Sequence, residues 1–119
     1  MKTMNAKIKK RWVADLRKNK KLQGVGYLRT EDDKFCCLGR LCELAVKAGV
    51  VKRHGNKTKG YTYGENNMAG ILPSEVMVWA EITKNDPAVI YKNNEEELSV
   101  LNDNKVSFLR IATLIEKQL

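Results

Sequence analysis

Apolar residues recur every fourth position at the start of this chain. Met4, Ile8, Trp12 and Leu16 form a stripe that Val13 widens, and this spacing predicts a helix over Thr3–Lys18. At 100° per residue, Lys7, Lys10, Arg11, Arg17 and Lys18 fall together on the opposite side, with Lys9 and Asp15 nearer the stripe. Asn19–Lys21 marks the helix exit, and the turn Gln23–Gly26 leads into an extended run, Gly26–Thr30. The acidic cluster Glu31–Asp33 suits a hairpin turn returning through Lys34–Cys37. A second helix is expected over Arg40–Lys47, burying Leu38, Leu41, Cys42, Ala45 and Ala48, with Gly49 at its C-terminal cap.

Residues 51–70 lose this periodicity. The segment reads as a basic loop, expected to be the most mobile part of the chain, with a short strand at 60–63. Pro73 and Glu75 suit the first turn of a third helix, which buries Val76, Trp79 and Ala80 and ends near Thr83. Asn85–Pro87 is a turn and Ala88–Tyr91 a strand. Glu95–Glu97 favour the positive end of a fourth helix, which stops at Asn102–Asn104. Ser107 caps a final helix whose stripe is Phe108, Ile111, Ala112, Ile115 and Leu119. The pattern therefore predicts a single α+β domain, residues 1–119, with about five helices and a small antiparallel sheet or hairpin.

Charge changes the picture most. The first 22 residues hold nine Lys/Arg against one acid, Asp15, for a net +8; the other 97 hold thirteen of each sign and sum to zero. Such an asymmetric field attracts phosphates or carboxylates. The expected contact residues are Lys7, Lys10, Arg11, Arg17 and Lys18, extended by Lys52, Arg53, Lys57 and Lys59, with Tyr61 and Tyr63 available to stack on bases. A competing reading is a small-ligand binder that sequesters an anionic, nucleotide-like signal near the Gln23–Gly26 turn and Asn102–Asp103. A structural role in a virion or an oligomer stays open.

Composition narrows the classes. At 43% hydrophobic and 30% charged residues, the chain suits a folded domain rather than a disordered one. No apolar run approaches the roughly 20 residues of a membrane span, so no membrane partner is expected. No apolar segment or small-residue cleavage site follows the basic start, unlike a secretion signal. Cys36, Cys37 and Cys42 are odd in number and crowded, which predicts reduced core thiols and a cytoplasmic setting. They lack the paired spacing of a zinc site, and His54 is the only histidine, so neither a metal nor a cysteine nucleophile is expected. Gly24-x-Gly26 is neither a dinucleotide fingerprint nor a phosphate loop. Asn102–Asn104 fits helix capping better than a calcium loop. No cofactor is expected and no enzyme motif stands out.

Several segments together resemble a family of small uncharacterised proteins of bacteriophages, prophages and some bacterial genomes. They are Trp12–Leu16, Gln23-Gly24-x-Gly26-x-Leu28, Phe35–Cys42 followed by Leu44-Ala45, Leu72-Pro73 with Trp79, Leu98-x-x-Leu101-Asn102-Asp103, and Ser107-Phe108-x-x-Ile111-Ala112-x-x-Ile115-Glu116. The Cys-Cys-Leu-Gly run and the Leu-Asn-Asp…Ser-Phe run carry most of the likeness, and the lysines from Lys18 to Lys21 depart from it. The resemblance implies a phage-type accessory protein in the host cytoplasm, and brings no activity or catalytic residues with it.

Overall fold

In a computed structural model, which describes residues 3–119, the first and last helices pack side by side as the spine of the molecule. Helix α1 spans Ala6–Lys18 and α5 spans Phe108–Gln118; their stripes meet through Ile8, Trp12, Val13 and Leu16 on one side and Phe108, Ile111, Ala112 and Ile115 on the other. Helix α1 starts three residues later than the expected Thr3, because Asn5 is the cap: its Oδ1 accepts from the Ile8 N–H at 3.0 Å. Met4 and Asn5 donate backbone hydrogen bonds to Leu119 and Ala80, tying the chain start to α5 and to α3.

Helix α2 (Cys37–Lys47) lies across the spine and begins three residues earlier than expected. Cys36 is its cap rather than a strand residue, with Sγ accepting from Gly39 N–H at 3.4 Å. Gly39 is where α2 touches the preceding loop: a Cβ there would sit 1.8 Å from the Leu28 carbonyl oxygen. Leu28 is fully buried. The extended run 26–30 is consequently not a strand. Its Leu28 N–H is spent on Ala69 O, and only the bridge Arg29–Phe35 and the Thr30–Lys34 bond remain of the expected hairpin.

The rest comprises two separate hairpins and two short helices. Strands β1 (Arg53–Asn56) and β2 (Gly60–Tyr63) pair antiparallel where a loop with one strand was expected. Glycines make this possible: Gly55 and Gly60 have φ of +91° and +83°, and a Cβ on Gly55 would meet Gly60 O at 2.0 Å. Helix α3 (Ser74–Ala80) ends three residues early because Glu81 turns left-handed, and it buries Val76 and Ala80 while Trp79 is only partly covered. Strand β3 (Ala88–Tyr91) pairs with β4 (Asn94–Glu97), so Glu95–Glu97 form a strand instead of opening a helix. Lys92 and Asn93 both adopt positive φ, the two-residue turn that folds a chain back into a hairpin. Helix α4 therefore starts only at Leu98 and runs to Asp103. The whole is one α+β domain of five helices and two small antiparallel hairpins.

Candidate nucleic-acid interface

Burying the α1 stripe against α5 and α2 leaves its other side in water. Lys7, Lys10, Arg11, Arg17 and Lys18 are all exposed along that face. Among the described residues, Lys7, Lys10, Arg11 and Lys18 form no ion pair. Arg17 does: its guanidinium forks onto Glu116 of α5, both bonds at 3.2 Å, and holds that carboxyl below the usual range. A groove of about 510 Å³ runs between α1 and α5 here, floored by Ala6, Val13 and Ala14 and walled by Lys9, Lys10 and Arg17.

A stack of rings and guanidinium groups connects this helix to the β1–β2 hairpin. Asp15 on α1 binds Arg40 of α2 at 2.7 Å, with both side chains largely buried. The Arg40 guanidinium lies 4.6 Å from the Phe35 ring, Arg29 lies 5.2 Å from the same ring, and Arg29 covers Tyr61 of β2 at 4.2 Å. Arg40 is held more basic than usual, chiefly by Asp15. Burial pulls the other way on Arg29, yet Asp33 and Glu43 outweigh it and raise it too. Arg11 and Lys18 stand one turn before and after Asp15, so they border the same side of the molecule as the stack. No periodicity in the sequence announces Arg29, Arg40 or Glu43. Their roles depend on partners 4 to 25 residues away.

The hairpin is anchored at one end and bare at the other. Glu43 of α2 accepts from the Tyr63 hydroxyl and pairs with Arg53 at 2.7 Å and with Arg29 at 3.7 Å. Tyr63 is thus fully buried and unable to stack on a base, and Arg53 is committed to Glu43. Tyr61 keeps partial exposure. Lys57 and Lys59 at the tip are exposed, as is Lys52 at the base, and Lys57 makes only a loose 3.4 Å pair with Asp33. Between the tip and the 25–32 loop lies a cleft of about 530 Å³ lined by Tyr27, Arg29, Glu31, Asp32, Lys59 and Tyr61, with Tyr27 60% exposed.

Gln23, Asn102 and Asp103 do come together, but their polar atoms serve the fold. Asn102, fully buried, accepts from Gln23 Nε2 and from the Cys37 N–H that opens α2, and donates to Gly24 O at 2.7 Å. It thereby satisfies the first amide of α2 beside the Cys36 cap. Gln23 also donates to Val106 O and accepts from Phe108 N–H, while Asp103 accepts from Gly26 N–H. Only a shallow depression of about 370 Å³ lies over this latch. The three thiols are buried and unpaired. Burial pushes Cys36 up to about 11 and also raises Cys37 and Cys42 well above the ordinary thiol value, which suppresses the thiolate that nucleophilic attack needs. Among the described residues no group of three His, Cys, Asp or Glu side chains is disposed to hold a metal, and no helix is long and apolar enough to cross a membrane.

No curated protein matches the chain, and no solved structure matches it. With its α1–α5 spine, its Asn102 latch and its cysteine-capped α2, the chain belongs to the family DUF8296, a domain of unknown function, which it matches over residues 4–119.

Proposed function

We propose that this protein is a non-enzymatic binding module whose basic face engages an acidic partner, and that the partner is nucleic acid. One observation supports the reading above others. Arg17, Arg29, Arg40 and Arg53 are each paired with a carboxylate of the same chain, whereas Lys7, Lys10, Arg11 and Lys18 have none among the described residues. Other lysines among the described residues are unpaired too, but residues 23–119 carry as many acids as Lys/Arg. The net positive excess therefore falls on the α1 segment, where its exposed cations can displace counterions from a phosphate backbone. On the resemblance to phage and prophage proteins, we assign it an accessory role in the cytoplasm of a bacterial host.

Fluorescence anisotropy with labelled single- and double-stranded DNA and RNA across a salt series tests this. Log affinity should fall linearly with log salt. Combining Lys10→Glu, Arg11→Glu and Lys18→Glu should lower affinity by about 100-fold or more and reduce the salt slope by roughly 3. The circular dichroism spectrum should not change, since all three side chains are exposed. A folded triple variant that binds like the wild type would overturn the proposal.

The cleft beside Tyr27 favours a second reading, sequestration of a small nucleotide-like anion with its ring against Tyr27 or Tyr61 and its phosphate on Lys59. Glu31 and Asp32 on the same rim work against a phosphate there. Denaturing mass spectrometry of the purified protein decides: a retained nucleotide favours this second reading, and its absence together with salt-sensitive polymer binding favours the first.

A further inference from the structure

We propose that the nucleic acid is a duplex and that the β1–β2 hairpin enters its major groove, with the outer face of α1 on the adjoining phosphates. This rests on the nucleic-acid reading above and names its partner more closely. A two-stranded antiparallel ribbon has the cross-section that a major groove about 12 Å wide admits. From Lys52 to Gly64 the chain carries four Lys/Arg, one histidine and no acid. All four residues of β1, and the Lys57–Lys59 turn, are exposed. A strand without a buried face gains nothing for the core, so its pairing serves to present the turn.

Hydrogen bonds brace both ends of the hairpin. Asn56 Oδ1 accepts from both the Thr58 and the Lys59 N–H at 2.9 Å, which fixes the turn. At the other end, Glu43 holds Arg53 and Tyr63, and Arg29 covers Tyr61. A tip ordered before binding loses little conformational entropy when it docks. Lys59, and Lys57 once it leaves its loose 3.4 Å pair with Asp33, are the groups placed to donate to guanine O6 and N7, and Thr58 between them suits either donor or acceptor contacts. The ring-and-guanidinium stack from Asp15 to Tyr61 links α1 to the hairpin through α2 and the 29–35 loop, and on this proposal the two elements share one duplex.

The test compares a 20-base-pair DNA duplex with either of its single strands, and maps guanine N7 methylation by dimethyl sulfate in the duplex complex. The wild type should prefer the duplex by about tenfold or more and protect guanines over a short stretch. Joining Lys57→Ala to Lys59→Ala should weaken duplex binding about tenfold and abolish the protection, with the melting temperature unchanged because both side chains are exposed. Salt-sensitive binding that the tip substitutions leave unaltered, unchanged N7 reactivity, or equal affinity for single strands would overturn the hairpin proposal and leave the broader reading standing. No binding to any nucleic acid at low salt would overturn both.

Discussion

The two hairpins of this protein have the same size and pairing but opposite surroundings. β3–β4 lies against α5, and the Gln118 side chain takes the place of a neighbouring strand: its Oε1 accepts from Ile90 N–H at 2.7 Å and its Nε2 donates to Ile90 O at 2.9 Å. Its other strand carries Glu95, Glu96 and Glu97, and α4 follows without a linker. That edge is closed on one side and repels anions on the other. β1–β2 has no acid, no helix along its exposed strand, and a cationic tip. Secondary structure alone therefore says little about role. What covers an edge, and which charge it carries, separates a hairpin that completes the fold from one offered to a partner.

The largest expected effect comes from removing the clamp that makes this difference. Glu43→Ala strands the buried Tyr63 hydroxyl and deprives Arg53 of its partner, and should cost about 3 kcal/mol in denaturant unfolding. Amide exchange should quicken in β1–β2 and not in β3–β4; equal acceleration in both would break the comparison. Gly55→Ala comes next, at about 2 kcal/mol, because its φ of +91° is strained for alanine and the Cβ collides with Gly60 O. That loss should appear in the melting temperature and in weaker duplex binding together.

Alkali should sharpen the contrast further. Burial first, and then the Glu43 carboxylate, raise the Tyr63 hydroxyl well above its ordinary value of 10.0. The folded chain keeps that proton where the unfolded chain releases it. The Tyr63 contribution to stability is thus intact below about pH 10 and is lost above it, by up to about 1.4 kcal/mol per pH unit. The cysteines, also raised from 9.0, begin their own fall one unit lower. Tyr63→Phe should make the decline above pH 10 shallower and leave the earlier part unchanged, as followed by urea midpoints against pH. Smallest is Gln118→Ala, about 0.5–1 kcal/mol, which bares the Ile90 edge without altering nucleic-acid affinity. A measurable loss of affinity would show that β3–β4 is not merely a closed part of the fold.

The helices were legible where one face is apolar. The α5 stripe and the Ser107 cap stand as the spacing predicts, and so does the α1 stripe. Strand β4 was not legible, because three glutamates before an apolar run read as a helix start and nothing local outweighs that signal. The left-handed pair Lys92-Asn93 redirects the chain instead. At the candidate interface, the outer lysines of α1 follow from helical rotation alone. Arg17 and Arg53 looked equally available, and their carboxylate partners lie 99 residues later and 10 residues earlier in the chain.

By itself, the sequence determined the amphipathic helices, the reduced core cysteines and the location of the excess positive charge, because each depends on local spacing or simple counting. Tertiary structure decided which cations are spent on internal carboxylates, that Tyr63 is a buried anchor, and that Gln23 and Asn102 form a latch. Most of these contacts join groups 10 to 99 residues apart, formed only once the chain has closed on itself. A buried polar group must find its partner wherever the fold brings one, and no local pattern encodes that distance.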